Sequence, residues 1–203
     1  LTGRRRIGKT SLVLHAYQEM PFLYFFVSKK AETALCEDYQ QEIITKLGVP
    51  LLGKVSRFAD IFEYIMQIAK QQPITLFIDE FQEFLRINAS IYSDMQRIWD
   101  LHKNEVHINL IVGGSVQSLI HKIFESNKEP LYNRQTAIIR VNKFPPSVLK
   151  EILAYHNPNY TQDDLLALYS FTGGVAKYVE LLMDKGATTR SKMIETIVQA
   201  DSI

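Results

Sequence analysis

Cysteine is nearly absent from this sequence of 203 residues, which contains only Cys36. A single thiol cannot form an internal disulfide, so we expect a reducing compartment and a cytoplasmic protein. The five histidines are scattered along the chain, and no group of His and Cys has the spacing of a zinc site. These shortages exclude disulfide and zinc frameworks as the basis of the fold.

Long apolar runs and excess charge are also lacking. No segment approaches the roughly 18 consecutive apolar residues that a membrane span requires. The net charge is only +1, so no bulk electrostatic attraction to nucleic acid is expected. The apolar fraction of 46% predicts a globular core, formed by one domain or by one domain with a small appendage.

The strongest motif lies at the start of the chain, where residues 3–10 fit the phosphate-binding pattern G-x-x-x-x-G-K-[ST]. Glycines let the backbone wrap around phosphate oxygens, Lys9 would reach the outer phosphates, and the Thr10 hydroxyl would ligate Mg²⁺. A helix follows, and its positive N-terminal end would point at the nucleotide. The predicted nucleotide-binding residues are Gly3, Arg4, Arg5, Arg6, Ile7, Gly8, Lys9, Thr10 and Ser11.

A second motif is the apolar run at residues 74–78, which ends in Asp79 and Glu80. A nearly continuous apolar run is typical of a strand buried on both faces of a parallel sheet. Open α/β sheets bind ligands at the carboxyl ends of their strands. There Asp79 would hold Mg²⁺ through its water shell, and Glu80 would orient and deprotonate the attacking water. By itself the pair could be a solvated acidic turn, but a phosphate loop at a suitable distance favours the functional interpretation.

Strands and helices alternate along most of the chain, which indicates an α/β fold with a parallel sheet. After Pro145 the pattern becomes wholly helical. We therefore predict a P-loop ATPase core at residues 1–144 and a helical lid at residues 145–203. The predicted strands are residues 22–27, 74–78, 108–115 (which ends in a tight turn) and 136–141. The predicted core helices are residues 31–47, 58–69 and 91–102.

The start of the chain is unusual for a phosphate-binding fold, because only Leu1 and Thr2 precede the first loop glycine. A phosphate loop normally follows a buried central strand. We expect that strand to be truncated here, with upstream residues in the natural protein. A sheet without its central strand would have a large apolar gap.

Five segments together resemble the archaeal-type ATPases of the AAA+/STAND-like P-loop branch. They are GRRRIGKT at 3–10, IDEFQ at 78–82, GGS at 113–115, PLYNR at 130–134 and TGGVAKY at 172–178. The resemblance spans nearly the whole chain in the family's order. It implies a three-layer P-loop NTPase sandwich whose sheet has the order five-one-four-three-two, followed by the helical lid.

The resemblance also implies roles for individual residues. Asp79 matches the metal-site aspartate and Glu80 the catalytic glutamate. Ser115 matches the polar sensor of the γ-phosphate, with Gln117 as a nearby substitute. Arg134 matches an arginine that can serve as an arginine finger. From the residues alone, Arg134 could equally cap a loop by bonding carbonyl groups, or pair with Glu129.

Several functions fit these motifs. The leading one is Mg²⁺-dependent ATP binding and hydrolysis to ADP, which would move the lid. Alternatives are a STAND-like nucleotide-gated switch with negligible turnover, a DNA-associated ATPase whose binding domain lies outside this segment, and a small-molecule kinase. ATP is implied by the resemblance, and the absence of an N-K-x-D motif also favours adenine. A second copy of the chain or another protein is the expected partner, and nothing in this segment supports nucleic acid.

Overall fold

The computed structural model describes residues 1–20, 22–49 and 53–199. Its elements fall into two compact units, one of residues 1–3 and 9–140, the other of residues 4–8 and 141 onward. The elements of the first unit are α1 (Lys9–Ala16), β1 (Phe22–Phe26), α2 (Glu32–Leu47), α3 (Phe58–Ala69), β2 (Ile74–Asp79), α4 (Phe84–Ile87), α5 (Ser90–His102), β3 (Ile108–Val112) and α6 (Gln117–Glu125). Those of the second unit are α7 (Pro146–His156), α8 (Gln162–Thr172), α9 (Ala176–Asp184) and α10 (Arg190–Val198).

The sheet of the first unit is parallel, with the order β1-β2-β3. Its central strand β2 is apolar at nearly every position and is buried along most of its length, as the sequence predicted. Phe26 is paired with Asp79, so β1 and β2 end at the same edge. Ile78 is paired with Val112, which brings the end of β3 to that edge too.

Thr2 lies beyond β3 and forms isolated parallel bridges to Gly114 and to Arg140. The predicted strand at residues 136–141 therefore contributes one bridge and no ladder.

An apolar groove of about 610 Å³ runs beside β3. Its walls come from α1, α5, β3 and the extended segment after residue 134, and they include Leu12, Trp99, Leu110 and Ile139. Leu12 and Ile139 are half exposed as a result.

The core of the first unit lies where α2, α3 and α5 cover the sheet. The buried stripe of α3 has the helical spacing expected from the sequence. Phe58 lies at its start, and the centre of its ring is 4.6 Å from that of Phe84 and 5.9 Å from that of Tyr39. This aromatic cluster supports the end of the sheet from which the acidic residues emerge.

The second unit has a separate core formed by α7 to α10, with Leu149, Leu153, Leu168, Val179 and Met193 among its buried residues. Gly173 ends α8 in the left-handed conformation, φ 55°. At Gly174 a Cβ would lie 2.3 Å from the carbonyl oxygen of Phe144, so a side chain does not fit there. In the part of the chain that the structure describes, no helix has the length and apolarity of a membrane span.

Candidate active site

The phosphate loop connects the short segment at Thr2 to α1. Arg6 and Gly8 adopt left-handed backbone conformations, with φ 64° and 93°. The Lys9 side chain is buried and folds back so that Nζ donates a hydrogen bond to the Gly3 carbonyl oxygen at 2.9 Å. The ammonium group is thus already directed to the first glycine of the loop, and a phosphate oxygen could replace that carbonyl as its partner.

A hydroxyl and a carboxylate meet at the end of β2. Thr10 Oγ1 donates to Asp79 Oδ2 at 2.5 Å, and the backbone N–H of Glu80 donates to Asp79 Oδ1 at 2.9 Å. Asp79 is only 4% exposed. Hydroxyl and carboxylate oxygens are the hard ligands that Mg²⁺ prefers, so this pair fits a magnesium ion that also binds phosphate oxygens and water. Within residues 1–20, 22–49 and 53–199, no group of three or more His, Cys, Asp or Glu offers another metal site.

Tyr24 also contacts this carboxylate, which sequence reasoning missed. Its hydroxyl donates to Asp79 Oδ2 at 3.4 Å from the neighbouring strand β1. Burial, and then the Asp79 charge, raise the pKa of Tyr24 to about 12, so the phenol stays protonated and remains a donor at neutral pH. The sequence showed Tyr24 only as part of an apolar strand. Its proximity to Asp79 follows from the register of β1 on β2.

Glu80 directly follows Asp79 in the chain. Its backbone is left-handed, φ 53°, a conformation that is uncommon outside glycine and that is found at functional sites. Its side-chain oxygen Oε2 accepts one hydrogen bond from Ser115 Oγ at 2.7 Å and another from Gln82 Nε2 at 2.5 Å. Gln117, the predicted alternative to Ser115, begins α6 and does not take that place.

Two glycines allow the end of β3 to approach the acidic residues this closely. A Cβ at Gly113 would lie 2.8 Å from the Phe77 ring and 2.9 Å from Asp79 Oδ1. A Cβ at Gly114 would lie 2.4 Å from Ile120. Neither position accepts a side chain, so the GG pair is what brings Ser115 next to the acids.

Arg134 is held by groups outside this cluster. Its guanidinium bonds both Asp100 oxygens, at 2.7 and 3.3 Å, and donates to the carbonyl oxygens of Pro130 and Tyr132 at 2.9 and 3.0 Å. The hydrogen bonds from Arg134 hold the pKa of Asp100 below its usual range. Glu129, the acid considered from the sequence, lies instead 3.5 Å from Lys122. The geometry is that of a loop-capping arginine, and its catalytic role stays a prediction.

In the second unit, the phosphate-loop residue Arg6 contacts the TGGVAKY segment. Arg6 Nη1 donates to the Tyr178 hydroxyl at 3.2 Å, and its guanidinium carbon lies 5.6 Å from the centre of the Tyr178 ring. The backbone N–H of Lys177 donates to the Arg6 carbonyl oxygen at 3.1 Å. The helical segment thus binds both the backbone and the side chain of one phosphate-loop residue.

Two uncharacterized proteins of Methanocaldococcus jannaschii resemble the chain in sequence. One is 27% identical over 178 residues, which cover 88% of this chain and 37% of that protein. The other is 32% identical over 56 residues, which cover 28% of this chain and 54% of that protein. The chain therefore matches between about a third and about half of the length of these relatives.

Solved structures resemble the chain in fold. A Walker-type ATPase of Pyrococcus abyssi has a TM-score of 0.71 at 16% identity, covering 97% of this chain and 65% of that one. Cdc6p from Pyrobaculum aerophilum has a TM-score of 0.59 at 16% identity, and the match covers 95% of this chain and 56% of that one. A third structure is a signal transduction ATPase with numerous domains from Pyrococcus horikoshii, which has a tetratricopeptide repeat sensor. Its TM-score is 0.55 at 16% identity, and the match covers 90% of this chain and 26% of that one.

These structural likenesses show a P-loop NTPase-like α/β fold with a parallel sheet. A sequence model for an ATPase domain predominantly from Archaea matches residues 1–182, which include the phosphate loop, the acidic pair and the TGGVAKY segment. The chain therefore belongs to this family of ATPase domains found predominantly in Archaea.

Proposed function

We propose that this domain binds ATP with Mg²⁺ and hydrolyses the bond between the β- and γ-phosphates. The family and the neighbouring folds support ATP binding and hydrolysis in general. The observation that carries the specific proposal is the hydrogen bond from Thr10 to Asp79, directly beside a Glu80 carboxylate held by Ser115.

Nucleotide binding would use the predicted loop residues 3–11. Backbone N–H groups of the loop and of the first turn of α1 would donate to phosphate oxygens. Lys9 would exchange the Gly3 carbonyl for an outer phosphate oxygen, a charge-assisted bond that is stronger than the one it replaces. We propose that Arg4, Arg5 and Arg6 add positive charge around the triphosphate.

Thr10 and Asp79 would hold the metal, Thr10 through its hydroxyl and Asp79 through the metal's water shell. The chemistry that Mg²⁺ would supply here is neutralisation of the negative charge that develops on the phosphates. The hydrogen bond between Thr10 and Asp79 positions both oxygens before the ion arrives, so little rearrangement of side chains is needed.

In the reaction, the oxygen of a water molecule would attack the γ-phosphorus, and Glu80 would accept a proton from that water. The bond from the γ-phosphorus to the bridging oxygen breaks, and ADP and inorganic phosphate are released. Ser115 donates its single hydroxyl proton to Glu80, and it would detect the γ-phosphate by donating that proton to a phosphate oxygen instead. Arg134, if released from Asp100, would supply the arginine finger predicted from the family.

We further propose the complete organisation predicted from the sequence, with a core at residues 1–144, a helical lid at 145–203 and the sheet order five-one-four-three-two. The two bridges of Thr2 support the placement of the phosphate-loop strand between the fourth and fifth strands. The hydrogen bond from the Lys177 N–H to Arg6 and the one from Arg6 to the Tyr178 hydroxyl support a lid that responds to nucleotide, because they connect a lid helix to the phosphate loop.

A second candidate is a nucleotide-gated switch with negligible turnover. The four hydrogen bonds that engage Arg134 favour it, because an arginine held in this way adds nothing to hydrolysis until it is released. Such a switch would copurify with ADP that exchanges only when a partner is present.

The deciding experiment measures MgATP turnover per chain over a wide range of protein concentration. Hydrolysis that Glu80→Gln abolishes without loss of ATP binding supports the proposed enzyme. Lys9→Ala should abolish binding itself, whereas Lys46→Ala on the exposed side of α2 is the matched control. Turnover that is equal in wild type and Glu80→Gln would contradict the assignment of the base. Tight binding with near-zero turnover at every concentration would favour the switch.

A further inference from the structure

We infer that Gln82 is a positioning residue for Glu80, an inference that rests on the proposed hydrolytic function. Gln82 belongs to the short 3-10 turn that follows β2, formed by residues Phe81–Glu83. Its side-chain Nε2 donates to Glu80 Oε2 at 2.5 Å, and Ser115 Oγ donates to the same oxygen at 2.7 Å. The resemblance gave Ser115 a role but gave Gln82 none.

The two donors on one oxygen of Glu80 determine which of its two oxygens can accept a proton from water. A carboxylate oxygen has two lone-pair positions, and on Oε2 both are occupied. The other oxygen, Oε1, therefore remains to accept a proton from water. The last torsion angle of a glutamate side chain is otherwise broadly distributed. Without these two hydrogen bonds, rotation about that bond would exchange the positions of Oε1 and Oε2.

The two donors come from different parts of the fold. Gln82 follows β2, whereas Ser115 follows β3 and the glycine pair before it. Two such anchors fix the plane of the carboxylate, which one donor alone would leave free to turn about the single bond. This is the arrangement expected for a general base that must meet its water in one orientation.

Packing does not explain the amide of Gln82. The side chain is only 1% exposed, and its Oε1 atom has no hydrogen-bond partner among the described residues. A buried acceptor without a partner destabilises the folded state. Methionine, with similar length and no unpaired polar atom, would fill the same space. The bond to Glu80 is the contribution that only the amide makes.

The orientation of the amide follows from the chemistry of its partner. A carboxylate only accepts hydrogen bonds, so the nitrogen of Gln82 must face Glu80 and its oxygen must face away. The oxygen lies over Gly114, where a Cβ would come within 2.6 Å of it. A glycine at that position thus provides the room that the amide occupies.

The test is a double-mutant cycle of Gln82→Met and Glu80→Gln in the full chain, with Gln71→Met at an exposed position as the matched control. For Gln82→Met we expect kcat for MgATP to fall about tenfold or more, the range of a general-base contribution, with KM unchanged. The melting temperature should not fall, because the unpaired oxygen is removed. In the Glu80→Gln background, Gln82→Met should have no further effect on residual turnover, whereas a merely structural role would lower it in both backgrounds.

Several results would overturn the inference. They are an unchanged or raised kcat in Gln82→Met, a fall in kcat that follows a loss of thermal stability or of ATP affinity, and effects that are additive in the cycle. The failure of the proposed function looks different, because Glu80→Gln would then hydrolyse ATP as fast as wild type. If Glu80→Gln abolishes turnover and Gln82→Met does not lower it, only the positioning role is wrong.

Discussion

Thr10 and Asp79, which are 69 positions apart in the chain, are joined by a hydrogen bond of 2.5 Å between Oγ1 and Oδ2. The bond connects the first turn of α1 to the last residue of β2. A divalent cation that binds at this point would take the Thr10 hydroxyl as a ligand, and Asp79 would accept hydrogen bonds from the water shell of the ion. The pair is therefore the place at which metal dependence should be tested.

For Asp79→Asn, we expect the affinity for ATP in the presence of Mg²⁺ to fall about tenfold or more, because a neutral amide accepts weaker hydrogen bonds from the water shell of the ion than a carboxylate does. The affinity for ATP in the presence of EDTA should change little. Binding of a fluorescent ATP analogue with and without Mg²⁺ measures both. Asp60→Asn, at an exposed position of α3, is the matched control. Equal losses with and without metal would contradict a metal-site role for Asp79.

Arg134 and Asp100 provide a test of the arginine finger. If Arg134 only anchors its loop, both Arg134→Ala and Asp100→Ala should change kcat alike. Asp100→Ala should lower the free energy of unfolding by about 0.2–1 kcal/mol, as expected for an exposed pair. Arg134→Ala should lower it by about 1–2 kcal/mol, since two carbonyl groups also lose their donor. We expect this anchoring result as long as Asp100 and the two carbonyl groups hold Arg134, before any release that would let it act as the proposed finger.

A different outcome would show that Arg134 acts in catalysis. In that case kcat falls only in Arg134→Ala, while Asp100→Ala retains wild-type turnover. Mixing Arg134→Ala with Glu80→Gln then shows where the arginine acts. Recovered turnover in the mixture means that the arginine of one chain reaches the nucleotide of another.

The sequence pattern identified the members of this cluster more readily than the contacts between them. The phosphate loop and the acidic pair were recognisable because their residue types follow each other along the chain. Tyr24 and Gln82 were missed as partners of the acids, since their positions depend on strand register and on the left-handed turn at Glu80. No local pattern signals the bond between Asp100 and Arg134, which are 34 positions apart.

Prediction of the fold from the sequence has a similar limit. Apolar spacing predicted α3 and β2 well, because burial on one or both faces leaves a direct pattern in the sequence. The predicted strand at 136–141 is reduced to one bridge at Arg140, because a strand is defined by its neighbour and only Thr2 is paired with it. Residue pattern alone does not reveal whether such a neighbour is present.

The aromatic core beneath the site should be sensitive to truncation. Phe58 is 1% exposed and its ring lies against those of Tyr39, Phe62 and Phe84. Phe58→Ala should lower the free energy of unfolding by about 3–5 kcal/mol, the usual range for a buried Phe. Phe26→Ala is the control, because that side chain is 49% exposed. Urea unfolding followed by circular dichroism measures both, and equal losses would contradict the packing described for Phe58.

In the second unit, we expect the Asp164 carboxylate to make a pH-dependent contribution to the free energy of unfolding. It completes a capping box at the start of α8, where the Thr161 backbone N–H donates to Oδ2 at 2.8 Å. The Arg190 backbone N–H donates to Oδ1 at 2.6 Å. These backbone hydrogen bonds, first from Thr161 and then from Arg190, hold the pKa of Asp164 below its usual value of 3.8.

A carboxyl with a lowered pKa in the folded state stabilises that state above its unfolded pKa, and the stabilisation is lost as pH falls through the folded value. At pH 7, Asp164→Asn should therefore lower the free energy of unfolding by about 1 kcal/mol, as for the loss of a helix cap. The difference from wild type should shrink as pH falls below about 4. Urea titrations from pH 7 to pH 3 measure it, with the exposed neighbour Asp163→Asn as control. A difference that stays constant over this range would mean that Asp164 contributes through its shape alone and not through its charge.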